Sequence, residues 1–327
     1  MVYNPQIVDV QDYKDGGANR RRFLDDFLRA LDHPGFMLLV NTGFETGEKY
    51  ERFQEQRRFM KVFFSLPKEE KDKRKVADVN GEVGYTGFRE DRNRDLAEHL
   101  QFCPGVTPYA ENVFPAISGY KEVTFAIMDD LHGFSDLMFR AVAEAFGKDP
   151  AYFENLCKGF IRNDVLRQAY YLGLDRNEVE EWKSSYRASE HDDSCFQTFI
   201  KLDNRLRRLQ CDVSGEAGLG KEITERIYEE ISVDQAGILY NTGHQCRWLT
   251  DDVKKPAFHR VVIPTDYEEA AVERITTPYF SALPKGLGII QEPLCWHPDP
   301  AKRGKVFQPG DPYEVQQRHI AGWRPHA

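Results

Sequence analysis

Apolar residues recur every three or four positions in "NRRRFLDDFLRALDH" (19–33), which puts Phe23, Leu24, Phe27, Leu28 and Leu31 on one face of a predicted helix. "HPG" (33–35) ends that pattern, and the unbroken apolar run "FMLLV" (36–40) predicts a short buried strand. Helical spacing resumes over "TGEKYERFQEQRRFMKVFFSLP" (46–67) and stops at Pro67, which has no amide proton to continue a helix. The charged, glycine-containing stretch "VNGEVGYTGFREDRNRD" (79–95) reads as a loop with strand edges. The longest helical pattern is "GYKEVTFAIMDDLHGFSDLMFRAVAEAFG" (119–147), with Gly147 as its C-terminal stop.

Beyond about residue 160 the pattern shortens and turns β-rich: "VLRQAYYL" (165–172), "CFQTFIKL" (195–202), "LRRLQCDV" (206–213), "AGILYN" (236–241), "FHRVVIP" (258–264) and "RITTPYFSAL" (274–283). Short strands broken by polar turns predict a sandwich or jelly roll instead of alternating βα units. "DPYEVQQRHIAGW" (311–323) reads as a closing helix. The class is therefore α+β. Residues 1–150 form a mainly helical region packing on a core, and 151–327 form the jelly-roll core with its C-terminal helix, as one structural unit.

Composition narrows the partners. Lys plus Arg total 44 against 53 for Asp plus Glu, a net −9. A chain that binds nucleic acid or an anionic membrane needs a basic face, so neither is expected; "RRR" (20–22) and "RLRR" (205–208) read as solvated faces. No apolar run reaches membrane-spanning length, and "MVYNPQIVDV" lacks a signal-peptide pattern, so the cytoplasm and a monomer are the default expectations. The six cysteines form no CxxC pair and read as reduced thiols.

The candidate chemistry lies in "EHDDSCFQTFI" (190–200). His-x-Asp occurs twice, at His191-Asp192-Asp193 and His297-Pro298-Asp299; the second is set among prolines and reads as a turn. The first is expected to open a strand, where residues two apart share a face, so His191 and Asp193 converge while Asp192 points away. His259 in "KKPAFHRVVIP" supplies a third ligand. Alone, it also reads as a core histidine bonded to a carbonyl. Two histidines and one carboxylate are the facial donor set that suits non-haem Fe(II) with open positions. Downstream, Arg274 and Thr276 in "ERITTPYF" share a face and could hold one carboxylate through a guanidinium fork and a hydroxyl.

This series resembles the isopenicillin N synthase-like group of Fe(II)/2-oxoglutarate-dependent oxygenases, with its H-x-D, its distal H in an "HRV..P" setting, and its R-x-S/T. The likeness extends to "GFMLLVNTG" (35–43), "FFSLPKEEKDK" (63–73), "GYTGF" (84–88), "GILYNTG" (237–243) and Thr198. It implies a double-stranded β-helix (jelly roll) core with flanking helices, mainly N-terminal. It implies Fe(II) on His191, Asp193 and His259, with no catalytic residue beyond these ligands. It implies 2-oxoglutarate on Arg274 and Thr276, with Tyr171 (or its neighbour Tyr170) and Arg167 as further cosubstrate contacts. With O₂ as co-reactant, the implied activity is oxidation of an unactivated C–H of a small molecule by hydroxylation, desaturation or ring formation, in specialised metabolism. An oxidase with the same ligands but no 2-oxoglutarate is the alternative, and an inactive binding protein the second. Ala169 stands where plant members carry asparagine, and His244 where an acid is common; His244 is expected on the surface or in a turn. Arg89, Arg92 and Arg94 read either as a solvated loop or as receptors for a carboxylate-bearing substrate. Segment 203–232 reads as an insertion or lid, and 307–323 as a cap on the pocket.

Overall fold

The computed structural model describes residues 1–76, 83–91, 94–103, 112–201, 208–215 and 226–322. Ten helices lie among them: α1 (Val10–Asp15), α2 (Gly17–Ala30), α3 (Gly47–Phe64), α4 (Lys68–Asp72), α5 (Tyr120–Ala145), α6 (Tyr152–Leu156), α7 (Arg176–Trp182), α8 (His244–Leu249), α9 (Tyr267–Ala270) and α10 (Pro312–Gly322). The strands are β1 (Val2–Tyr3), β2 (Gln6–Asp9), β3 (Phe36–Val40), β4 (Gly84–Thr86), β5 (Glu98–Phe102), β6 (Val165–Tyr171) and β7 (Tyr186–His191). They continue as β8 (Gln197–Lys201), β9 (Leu209–Asp212), β10 (Tyr228–Ile231), β11 (Ile238–Thr242), β12 (His259–Val262), β13 (Arg274–Thr276) and β14 (Pro278–Ser281). None of the described helices is long and apolar enough to cross a membrane.

Two open sheets face each other. The larger runs β2-β3-β11-β8-β14-β6-β5-β4, with β13 also on β6; the smaller runs β1-β10-β9-β12-β7. The first 150 residues thus contribute four strands, β2 to β5, to the larger sheet. The boundary near 150 is a change of sequence texture and not a gap in the sheet.

The apolar runs are continuous because both faces of the larger sheet are covered. On β3 and β11, Met37, Leu39, Ile238 and Tyr240 join the core under the helices. Their alternate neighbours Phe36, Leu38 and Leu239 meet Leu209, Cys211, Ile231 and Val261 of the smaller sheet in a second apolar cluster. That second cluster fills the sandwich interior, as expected of a jelly roll.

Helix α5 seals the outer face. Ile127, Leu131, Phe134, Met138 and Val142 recur at helical spacing and are buried, and Phe134 packs 5.4 Å from Phe199 of β8. Gly147 sits just past the helix at φ 69°, a conformation glycine adopts without steric cost. Beside this contact, fully buried Asp164 accepts from Tyr279 Oη (2.8 Å), the Ala282 amide (3.0 Å) and Arg162 Nε (3.1 Å), with His132 Nδ1 3.0 Å away. Burial pushes this carboxyl up, but Arg162 and the hydrogen bonds outweigh it and hold it below its ordinary value. Asp164→Ala leaves the buried Arg162 with only the half-exposed Asp136 carboxylate (2.7 Å) as an anionic partner, and is expected to cost about 3 kcal/mol of stability in urea denaturation.

Candidate metal centre and cosubstrate pocket

Register brings two imidazoles together. β12 runs antiparallel to β7 with His259 directly opposite His191, and the rings lie 4.3 Å apart at 50°. His191 Nδ1 is 2.7 Å from Ser189 O, and His259 Nδ1 is 2.9 Å from Ala257 O. A carbonyl can only accept, so each Nδ1 carries the proton and each Nε2 keeps its lone pair for a ligand. His259 therefore satisfies both readings of its sequence context: it bonds a carbonyl and still offers a donor nitrogen.

Asp193 completes the set. Its Oδ2 accepts from Thr198 Oγ1 (2.6 Å) and Asn241 Nδ2 (2.7 Å), two residues opposite each other on β8 and β11. Its Oδ1 lies 3.7 Å from His191 Nε2. One donor atom from each of His191, Asp193 and His259 falls within 4.8 Å of the others. The donor set, the fixed tautomers and the half-occupied carboxylate all suit a divalent iron. Burial, then His259, pushes the His191 imidazole down to about 4, so it stays neutral and able to ligate at physiological pH. Burial would raise the Asp193 carboxyl, but the two histidines, Thr198 and Asn241 hold it below its ordinary value.

The structure corrects the strand phase. β7 ends at His191 and β8 begins at Gln197, so His191 and Asp193 bracket a strand exit instead of opening a strand. The turn is shaped by Gly243, where a Cβ would lie 2.2 Å from Cys195 O and 2.8 Å from Asp193 O. Backbone amides at the start of α8 bind the turn's carbonyls, His244 to Asp193 (2.7 Å) and Gln245 to Cys195 (3.0 Å). Asp192 does point away, as expected. His297 and Asp299 form a separate turn, the Asp299 amide donating to His297 Nδ1 at 3.0 Å.

On β13, Arg274 lies opposite Tyr171 and Thr276 opposite Ala169. The Arg274 guanidinium is 5.4 Å from the Tyr171 ring centre. Tyr170 faces the other way and donates to Glu273 at 2.9 Å, which leaves Tyr171 as the tyrosine beside Arg274. Arg167, on the Tyr171 face of β6, donates through Nε to Gln101 (2.6 Å) and lies 4.9 Å from the Phe280 ring. Among the described residues it has no carboxylate partner.

Comparison with known proteins accords with this geometry. A family model described as non-haem dioxygenase in morphine synthesis N-terminal matches residues 6–116. The 2-oxoglutarate-Fe(II) type oxidoreductase ppzD of Metarhizium rileyi is 26% identical over 282 residues, covering 79% of this chain and 74% of that relative. A full-length Neurospora crassa protein, solved in complex with alpha-KG and thymine, superposes with a TM-score of 0.79 at 20% identity over 97% of each chain. A putative 2OG-Fe(II) oxygenase family protein from Caulobacter crescentus gives 0.77 at 21% identity, over 97% of this chain and 98% of its own. The chain is thus similar to Fe(II)/2-oxoglutarate-dependent oxygenases in its N-terminal segment, in the relatives it matches and in its fold.

The site also holds residues that the sequence did not single out. Arg187, on β7, is 4% exposed and donates to the carbonyls of Leu172 and Ala270, both at 3.1 Å. Burial, then Arg274, pushes it down to about 10, still charged at neutral pH. Asn241 lies in a segment that carries the family resemblance, which by itself assigns it no role. His244 opens α8 and is half-buried, its ring stacked on His319 at 3.7 Å. Arg89 lies over the Trp182 ring at 4.1 Å, whereas Arg92 lies outside the described residues. Of segment 203–232, residues 203–207 and 216–225 also lie outside them, while β9 and β10 are strands of the smaller sheet.

A further chain of bonds supports His191 from behind. Asp95 accepts from the Ser189 amide (2.8 Å) and hydroxyl (2.5 Å), and Ser189 O receives His191. Burial, then the charge of Asp91, pushes the Asp95 carboxyl up to about 7. A raised folded-state value favours the protonated fold, so the cost of ionising Asp95 is absent below about pH 4, grows to pH 7 and is constant above. Asp95→Asn keeps an acceptor for Ser189 and removes that cost. It is expected to be more stable than wild type by about 1–3 kcal/mol at pH 8, with the difference vanishing in melts near pH 4.

Proposed function

We propose that His191, Asp193 and His259 hold Fe(II), and that Arg274 and Thr276, beside Tyr171, hold the distal carboxylate of 2-oxoglutarate. The protein is on this reading a dioxygenase oxidising an unactivated C–H of a small molecule in specialised metabolism. The observation that carries it is the convergence of the three ligating atoms, with both imidazole tautomers already fixed by backbone carbonyls.

Bound iron with 2-oxoglutarate and O₂ supplies the oxidant: one oxygen atom leaves in succinate with release of CO₂, and the other oxidises the substrate. The chain's own residues do the rest. Ser189 and Ala257 carbonyls orient the imidazoles, while Thr198 and Asn241 occupy one carboxylate oxygen and leave the other for metal. Phe36, edge-on to His259 at 5.7 Å, continues the apolar sandwich core up to the site and excludes water on that side. Arg167, without an anionic partner among the described residues, is a receptor for an anionic group, either the cosubstrate's or that of a carboxylate-bearing substrate. A monomer acting in the cytoplasm completes the reading.

The test is anaerobic addition of Fe(II) and then 2-oxoglutarate. Chelation of the keto acid on iron gives a visible charge-transfer absorption that Asp193→Ala lacks. Iron binding without a response to 2-oxoglutarate would favour the oxidase. Small carboxylic acids are then screened for succinate formation and O₂ uptake in equal amounts.

A further inference from the structure

A second His/His/Asp group lies on the other side of the ligand turn. Asp192, 6% exposed, accepts from His319 Nε2 at 3.0 Å, and His244 Nδ1 is 3.6 Å from its other oxygen, too far for a direct hydrogen bond. The His244 and His319 rings are 3.7 Å apart and only 12° from parallel. An ion bound by one imidazole sits in that ring's plane at ~2.0–2.1 Å, and so falls well out of the plane of a stacked neighbour. The group is poorly built for a metal and well built to clamp a carboxylate, with His244 backing the ring that bonds it.

The rest of α10 points the same way. Its inward face carries Pro312, Val315, Gln316 and His319 at helical spacing, an unusually polar set for a docking helix. Gln316 Nε2 donates to Ser194 Oγ at 3.2 Å. The helix therefore grips Asp192 and Ser194, the residues on either side of Asp193. A cavity of about 720 Å³ lined by Trp248, Val306, Val315, Arg318 and both histidines lies against this contact. The C-terminal segment thus touches the Asp192 side of the turn, where the sequence suggested a cap on the pocket.

We propose that α10 is a positioning element for the iron site, with His319 and Gln316 as positioning residues that fix the turn presenting His191 and Asp193. The proposal rests on the ligand assignment above. Because His191 leads and Asp193 follows Asp192 directly, rotation of the Asp192 peptide units moves both donor atoms. Holding its side chain from a separate helix removes that freedom before metal arrives.

The experiment uses full-length His319→Ala, His319→Gln, Gln316→Ala and His191→Ala, and measures anaerobic Fe(II) affinity and stoichiometry by equilibrium dialysis, with the melting temperature of each metal-free protein. His319→Ala is expected to weaken iron binding about tenfold, the lower end for loss of an outer partner, while the metal-free melting temperature stays near that of wild type. His319→Gln, whose amide nitrogen can reach Asp192, is expected to restore most of the affinity, and Gln316→Ala to weaken it in the same direction. Unchanged affinity in His319→Ala, with His191→Ala unable to bind, overturns the clamp and leaves the ligand assignment standing. Wild-type affinity in His191→Ala overturns the ligand assignment itself. A fall in melting temperature that tracks affinity and is not rescued by glutamine makes His319 merely structural. Two ions per wild-type chain and one in His319→Ala make the group a second metal site.

Discussion

Asp193→Ala is expected to leave the protein without measurable Fe(II) affinity at micromolar metal. Loss of an outer hydrogen-bonding partner costs about 10–100-fold in metal affinity, and Asp193 is the sole carboxylate in the donor set, so its removal exceeds that range. Two neutral imidazoles remain, and they cannot balance the charge of a buried divalent ion. The fold should survive. The Thr198 hydroxyl and Asn241 amide lose an acceptor, at about 1–3 kcal/mol for a buried polar group left unpaired, no more than the loss expected for Asp164→Ala. Equilibrium dialysis with metal analysis measures the effect, and circular dichroism separates it from unfolding. Asp192→Asn is the control: its side chain faces His319 and not the metal, so it should weaken binding only to the degree that the clamp does. Equal losses from the two substitutions would sink the assignment of the donor atoms.

The sequence offered the candidate donors but not the geometry that joins them. His191 and Asp193 were legible as a pair because two-residue spacing is informative whether the backbone is a strand or leaves one. The phase was not, since β7 ("YRASEH") and β5 ("EHLQF") carry buried polar residues, which erases the apolar alternation that marks a strand. β3 and β11 were visible for the opposite reason: both faces are buried in apolar clusters, so their runs are unbroken. The meeting of His259 with His191 is a fact of antiparallel register between β12 and β7, which no local pattern reports. His319 and Arg187 had no signal at all. One reaches Asp192 from a distant helix, and the other is a single arginine in a short polar strand.

Arg274→Leu is expected to raise the 2-oxoglutarate concentration needed for half-saturation by about a hundredfold or more while leaving iron affinity unchanged. Each hydrogen bond to a charged group contributes about 1.5–3 kcal/mol, and a guanidinium can give a carboxylate two of them. At about 1.4 kcal/mol per factor of ten, losing one to two such bonds places the change at that scale. Leucine keeps an apolar side chain on β13 and the pairing of β13 with β6, while the guanidinium beside the Tyr171 ring is lost together with its charge. Arg187 is anchored through Nη2 to the Leu172 and Ala270 carbonyls, which fix where its guanidinium sits. Thr276→Val should act in the same direction and more weakly, since only a neutral hydroxyl is removed. Titration of the anaerobic Fe(II) protein with 2-oxoglutarate reads binding directly, before any substrate is known. If the leucine variant binds the keto acid as wild type does, the cosubstrate lies elsewhere, and the oxidase reading with the same three iron ligands becomes the better one.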